Sequence, residues 1–201
     1  EKPLLDARIR PFVFAHVLPG LFNSAIGIFS TGTSLRWVRD QLCADLVVQA
    51  RSQNRDVYDL MTELAAESPA GARGVIFHPN MGGGSSLDPS IHLRGAFLNL
   101  DLSHTRADLL RAVLEGIALQ GRVALDALRS LYPVSAEMIV VGGGGRSRLW
   151  RQIHADAYRA RLIKTRIDQQ AAALGAAALA FTGMGLWPDF SRIETLHTPE
   201  D

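Results

Sequence analysis

The alternation of apolar and polar positions divides the chain into short strands and longer helices. FVFAHV, Phe12 to Val17, has strand length and is ended by Pro19 and Gly20, and a second such run covers Asn23 to Phe29. Ser30, Thr31 and Thr33 then offer N-cap oxygens for a helix on which Leu35, Val38 and Leu42 share one face, with Trp37 beside them and Arg36, Arg39 and Asp40 toward the other side. A polar stretch, Arg51 to Asp56, separates it from a helix over Val57–Ala66 with Tyr58, Met61 and Ala65 on one stripe. Ser68 to Gly71 end that helix. Gly74 to His78, GVIFH, is a short strand feeding the loop PNMGGGSSLDPSIHLR. A loop of this length without periodicity is expected to carry function or to be mobile, and Gly82 to Ser86 could cradle an anion or simply cross the surface.

Gly95 to Leu100 reads as extended, and the longest helix starts between Ser103 and Arg106 and stops before Pro133. Leu109, Leu110, Val113, Leu114, Ile117, Leu119 and Val123 give it an apolar series, and Gly116 and Gly121 within it imply close packing onto a sheet. Arg111 and Glu115, four apart, read as an exposed ion pair. Met138 to Val141 is a buried-strand run followed by four glycines, with Ser147 as the N-cap of a helix opening at Arg148 and reaching about Arg159. A short strand over Arg161–Ile167 and a helix over Gln169–Thr182, mostly Ala and Leu, follow; such a small-residue helix is expected to lie buried against a neighbour. The alternation from Gly74 onward predicts an α/β domain with helices covering a largely parallel sheet.

Composition narrows the function classes. In 201 residues, 21 Lys and Arg nearly balance 20 Asp and Glu without a block of like charge, which gives no case for nucleic acid or an anionic membrane as partner. One cysteine, Cys43, rules out an internal disulfide and a Cys-rich metal site and fits a reducing compartment. The most apolar window, Ala171 to Phe181, is too short to span a membrane, and the charged start EKPLLDARIR does not read as a signal peptide. The expectation is a cytoplasmic protein forming one domain over residues 1–201, its oligomeric state open, a homodimer included.

The candidate chemistry sits at EMIVVGGGGRSRLW, Glu137 to Trp150. A strand, a glycine turn and a helix N-terminus together suit an acceptor-rich or anionic ligand, because the N–H groups of the first helical turn lack backbone partners. The glycines could equally serve packing between strand and helix. Gly142, Gly144 and Ser147 approximate the dinucleotide fingerprint, with Asp168 near the ribose-binding place, so an oxidoreductase domain is one alternative. A non-catalytic assembly module with Trp150 and Trp187 as contact surface is another.

Several stretches together resemble the C-terminal domain of the FGGY carbohydrate kinases. RGAFLNLDLSHTRADLLRAVLEGIAL, Arg94 to Leu119, is similar to the second family signature through Gly95, Phe97, Asp108, Leu109, Ala112 and Glu115, with Asn99 where the family usually has glycine. VVGGGGRSRLWRQIHAD, Val140 to Asp156, resembles the family's adenosine motif, AALGAAALAFTGMGLW, Ala172 to Trp187, its closing helix, and IFSTGTSLRWVRDQL the segment lining its adenine pocket. The order of these stretches is the family's order along nearly the whole chain.

The resemblance implies an actin-like ATPase (ribonuclease H-like) fold, a mixed sheet flanked by helices, and the ATP-binding half of an ATP-dependent sugar kinase. The acceptor it implies is a ketopentose such as xylulose, with Mg²⁺ neutralising the phosphates. Gly32 and Arg36 would border the base, Gly142, Gly143 and Gly144 would let adenosine lie on bare backbone, and Ser147 would offer a hydroxyl. The general-base aspartate and most sugar contacts are expected in an N-terminal half absent here, so no catalytic residue is assigned and the chain alone is expected to be inactive. No metal ligand is assigned either; Asp88, Asp101, Asp156 and Asp168 serve as well as caps or surface charges.

Overall fold

A computed structural model of the chain describes residues 2–167, 169–196 and 198–199. They gather into two compact units, one up to Val134 and one from Ser135 onward.

The first unit opens with a hairpin. β1 (Phe12–Ala15) and β2 (Phe22–Ala25) pair antiparallel, with Phe12 opposite Ala25 and Ala15 opposite Phe22. Phe12 and Phe14 stack at 6.4 Å and Phe29 meets Phe12 edge-on, yet Phe12, Phe14, Phe22 and Phe29 remain 41–58% exposed. Leu18 and Leu21 at the hairpin tip are exposed as well.

The helix expected from Ser30 onward is two helices, α1 (Thr31–Leu42) and α2 (Ala44–Gln53), broken at the fully buried Cys43, whose backbone leaves the helical region. No glycine or proline marks the break. Arg106 stabilises it, donating to the Leu42 carbonyl at 3.4 Å and gripping both carboxylate oxygens of Asp45 at 2.6 and 2.8 Å. α3 (Val57–Ala66) is capped by Asp56, which accepts the Tyr58 N–H, and buries Leu60, Met61 and Ala65. It packs on α4 (Arg106–Leu131), the axis of this unit.

On α4, Leu110, Val113, Leu114 and Ile117 are buried, whereas Leu119 and Val123 are more than half exposed. At about 100° per residue, positions 119 and 123 lie roughly opposite Ile117, so the apolar series does not form one stripe. The helix crosses β3 (Ile76–His78) at Gly116, where a Cβ would stand 2.2 Å from the Phe77 carbonyl oxygen; the glycine is there for backbone approach. β3 pairs antiparallel with β4 (Ala96–Leu98), Phe77 against Phe97.

Three details change the sequence reading of this unit. Asn99, where glycine was the familiar residue, adopts φ +62°, the left-handed conformation open to glycine and tolerated by Asn, and its Nδ2 donates to the Gly74 carbonyl. The Arg111–Glu115 pair, expected at the surface, is largely buried, with side chains 12% and 17% exposed, and Glu115 also accepts the Gly71 N–H at 3.1 Å. Asp108 forms a capping box with Thr105 and is 1% exposed; the Ser68 hydroxyl first, then the Thr105 N–H, hold its carboxyl down at a pKa of about 2.

The second unit is a strand–helix–strand arrangement. β5 (Glu137–Val140) and β6 (Arg161–Lys164) pair parallel with Glu137 opposite Arg161 and Val140 opposite Lys164, joined through α5 (Arg148–Tyr158). α6 (Ala171–Gly183) and α7 (Arg192–Leu196) complete it. The largely parallel sheet expected from Gly74 onward is therefore corrected: β3–β4 is antiparallel and β5–β6 is the parallel pair among the described residues. The 79–94 connection carries no crossover helix and folds back on itself, which returns β4 alongside β3 in the opposite direction. The expected burial of the Ala-rich helix is also corrected. Among the described residues Ala178 is its one buried position, and Leu179 and Phe181 are exposed.

Candidate functional site

β5 ends at Val140, and Gly142 to Gly145 carry the chain from the C-terminal end of this strand to the start of α5. Gly142 makes the turn with φ +91° and ψ 172°, a conformation essentially restricted to glycine. Gly143–Gly145 form a single 3-10 turn closed by the Gly145 N–H on the Gly142 carbonyl at 3.0 Å. Ser147 is the N-cap of α5, as the sequence predicts, and its Oγ accepts the Trp150 N–H at 3.2 Å.

The four glycines are not equivalent. A Cβ on Gly144 would stand 2.9 Å from the Trp150 ring, and one on Gly145 would stand 3.3 Å from Val140 Cγ2, so these two admit neighbouring side chains. A Cβ on Gly142 would meet nothing within 4 Å, and one on Gly143 only Gln169 Nε2 at 3.4 Å. The packing reading of the run thus holds for Gly144 and Gly145, and the open backbone lies at Gly142 and Gly143. Among the described residues, the N–H groups of Gly142, Gly143 and Gly144 take part in no hydrogen bond. Gly143 and Gly144 are exposed, so these donors remain available to an acceptor-rich ligand.

Two side chains that sequence reasoning did not single out border this turn. Arg151 Nη1 donates to the carbonyls of Gly145 at 2.5 Å and Arg146 at 3.0 Å, bracing the turn from α5. Its place four residues after the N-cap was the available signal. Gln169, in the segment following β6, borders Gly143. No pattern marks it, because its proximity comes from the parallel pairing of β5 with β6.

Gly32 and Arg36 lie in the first unit, one helical turn apart on α1 and both exposed; a Cβ on Gly32 would meet nothing within 4 Å. α1 has no side-chain cap, because the Ser30 hydroxyl accepts the Gly82 N–H at 2.7 Å instead. The loop carrying that glycine is not an open anion cradle. The Gly83 N–H bonds the Asn80 carbonyl, Gly84 the Ile91 carbonyl and Ser85 the Asp88 carboxylate, so the donors of Gly82 to Ser85 are already used.

The acidic candidates for indirect metal contact are held in local structure. Asp88 anchors the loop through Ser85 and Asn80, Asp101 accepts from Ser103, and Asp156 from the Gln152 amide. Asp168, also the acid of the dinucleotide alternative, lies outside the described residues. Trp150, considered as assembly surface, is buried at 7% exposure, with its ring under the glycine turn.

Comparison with known proteins identifies the family of the chain. The model of the FGGY family of carbohydrate kinases, C-terminal domain, matches residues 6–184. An autoinducer-2 kinase of Yersinia pestis bv. Antiqua (strain Angola) is 33% identical over 190 residues, covering 92% of this chain and 35% of the relative. Among solved structures, a xylulose kinase from Rhodospirillum rubrum is 30% identical with a TM-score of 0.76, over 98% of this chain and 37% of that one. A gluconate kinase from Lactobacillus acidophilus is 25% identical with a TM-score of 0.77, over 100% and 38%. The chain spans about a third of the length of the curated relatives it matches. The fold is the α/β actin-like ATPase fold of these kinases, as the resemblance implied. With a match along most of its length, in place of a lone glycine fingerprint, the chain belongs to the FGGY family of carbohydrate kinases, of which it carries the C-terminal domain.

Proposed function

We propose that the chain is the ATP-binding half of an ATP-dependent carbohydrate kinase, a single functional domain that works with an N-terminal half carrying the general-base aspartate and most sugar contacts. The observation that carries this reading is the turn at Gly142–Gly144, with N–H donors unused among the described residues, no side chain over Gly142 and only Gln169 beside Gly143, at the C-terminal end of a parallel strand. Adenosine would lie on the bare backbone there, and Ser147, whose Oγ accepts the Trp150 N–H, would offer its hydroxyl to the nucleotide. Gly32 and Arg36 would border the base, the guanidinium stacking on its face. Bound Mg²⁺ would neutralise the phosphates during in-line transfer to a sugar hydroxyl.

Because the chain alone lacks the expected general base, it binds nucleotide without transferring phosphate. For the acceptor we propose a ketopentose such as xylulose; the xylulose kinase relative supports it, and the autoinducer-2 and gluconate kinases define the competing acceptors to assay. A cytoplasmic location and a reducing environment for Cys43 belong to the same reading.

The test is isothermal titration of the chain with a non-hydrolysable ATP analogue plus Mg²⁺ and, separately, with NADP, for the unmodified chain and Gly143→Val. The expected result is binding of the ATP analogue that the variant loses while keeping its fold, since the added Cβ would meet only the Gln169 side chain, at 3.4 Å. Binding of NADP alone would overturn the kinase reading. Sugar-dependent ATP consumption by the isolated chain would overturn the division of labour between the two halves.

A further inference from the structure

The Gly142–Gly145 turn has no side chain by which the fold could hold it, so every restraint on its shape acts through backbone atoms. Glycine has more conformational freedom to lose than any other residue, and a run of four left loose would have to be ordered at the moment of binding. The Gly145 and Arg146 N–H groups close the turn on the carbonyls of Gly142 and Gly143, at 3.0 and 3.1 Å. The Trp150 ring lies against Gly144, a contact without directional preference. A directional hold comes from Arg151, half-buried on α5, whose Nη1 donates to the carbonyls of Gly145 and Arg146.

We infer that Arg151 is a positioning residue for nucleotide binding, an assignment that rests on the nucleotide reading of the Gly142–Gly144 turn. Peptide planarity carries its grip to the open donors. The peptide joining Gly145 to Arg146 is held on both sides: its carbonyl accepts from Arg151, and its N–H donates to the Gly143 carbonyl. That Gly143 carbonyl shares a peptide plane with the Gly144 N–H, one of the donors left unbonded among the described residues. Two rigid planes thus connect the guanidinium to an open donor of the site. Gly145 is buried, and among the described residues Arg151 is the one donor to its carbonyl. Without that side chain the carbonyl would be an unpaired buried acceptor, and rotating the peptide toward water would satisfy it at the expense of the turn's shape. Helix stability does not account for the arginine. It is the fourth residue of α5, whose first turn holds no acidic residue, and a cation near a helix N-terminus is disfavoured by the macrodipole.

The experiment is titration of the unmodified chain, Arg151→Met, Arg151→Lys and Gly143→Val with a non-hydrolysable ATP analogue plus Mg²⁺, together with amide hydrogen exchange of the ligand-free chains. Methionine keeps an unbranched stem but donates nothing, whereas one lysine ammonium can serve both carbonyls, as the single Nη1 does here. The expected result is binding about tenfold weaker in Arg151→Met, the scale of one charge-assisted hydrogen bond, with most of the loss recovered in Arg151→Lys. In Arg151→Met the Gly145 and Arg146 amides should exchange about tenfold faster, while those of β5 and β6 keep their protection. Undiminished affinity in Arg151→Met, with binding abolished in Gly143→Val, would overturn the role of Arg151 and leave the nucleotide site standing. The role is equally overturned by a loss that Arg151→Lys does not recover, or by faster exchange throughout β5 and β6, which would make Arg151 a support of the whole unit. If the unmodified chain binds no ATP analogue, both readings fall.

Discussion

At Gly82–Gly84 the main-chain N–H groups are bonded inside the first unit, whereas at Gly142–Gly144 in the second unit none is bonded among the described residues. The two runs differ in the same way around their missing side chains. A Cβ would stand 2.6 Å from the Ile91 carbonyl oxygen at Gly83 and 2.2 Å from the Ser90 carbonyl oxygen at Gly84, against open space at Gly142 and one flexible side chain at Gly143. Glycine at 83 and 84 lets backbone approach backbone; at 142 and 143 it leaves backbone bare, while Gly144 admits the Trp150 ring. Similar letters therefore describe a closed strap and an open turn, and the partner of each N–H tells them apart.

Substitution can sharpen or break this contrast. The largest effect is expected from Gly84→Ala, which forces a carbon against a carbonyl oxygen and should cost about 3 kcal/mol in denaturant unfolding. Gly142→Ala comes next, at about 1–3 kcal/mol, because its backbone conformation excludes a Cβ even though space is available. Equal, small costs at both positions would dissolve the distinction between contact and conformation.

Acid offers a reversible version of the same test. Burial raises the Asp88 pKa, but the Ser85 N–H and hydroxyl and the Asn80 amide outweigh it, so the net value lies below the ordinary 3.8. A carboxylate with a depressed folded pKa contributes stability above its unfolded value, and that contribution is lost as pH falls through the folded value. Amide exchange protection at residues 82–85 should accordingly drop below about pH 4, and Asp88→Asn should remove that dependence. The smallest stability change, within about 0.5 kcal/mol, is expected for Gly143→Ala, measured by thermal or denaturant unfolding. A large loss there would mean that the turn is packed after all.

Much of the site was legible because its signals are local. Ser147 caps α5 where a hydroxyl before Arg148 predicts it, and α4 begins and ends where Thr105 and Pro133 allow. The split at Cys43 was not, since no breaker residue occurs there and the freed Leu42 carbonyl is answered by Arg106, 64 positions away. For the same reason the fate of the Gly82 donor was hidden: its acceptor, Ser30, is 52 positions earlier and looked like a helix cap. Composition misled at α6, where small apolar residues suggested a buried helix that the described structure leaves mostly exposed. At Cys43 and Gly82 the residue-level reading failed because a partner distant in sequence decided the outcome.

The aromatic hairpin at the start of the chain bears on how this protein behaves in concentrated solution. Phe12, Phe14, Phe22 and Phe29 present apolar surface to water, while a formal net charge of +1 at neutral pH supplies little mutual repulsion between molecules. Colloidal stability is then set by the balance between this sticky patch and weak long-range forces. Lowering the pH raises the positive charge and opposes self-association, raising it toward the isoelectric point near 8.3 removes the charge, and adding salt screens what little repulsion exists.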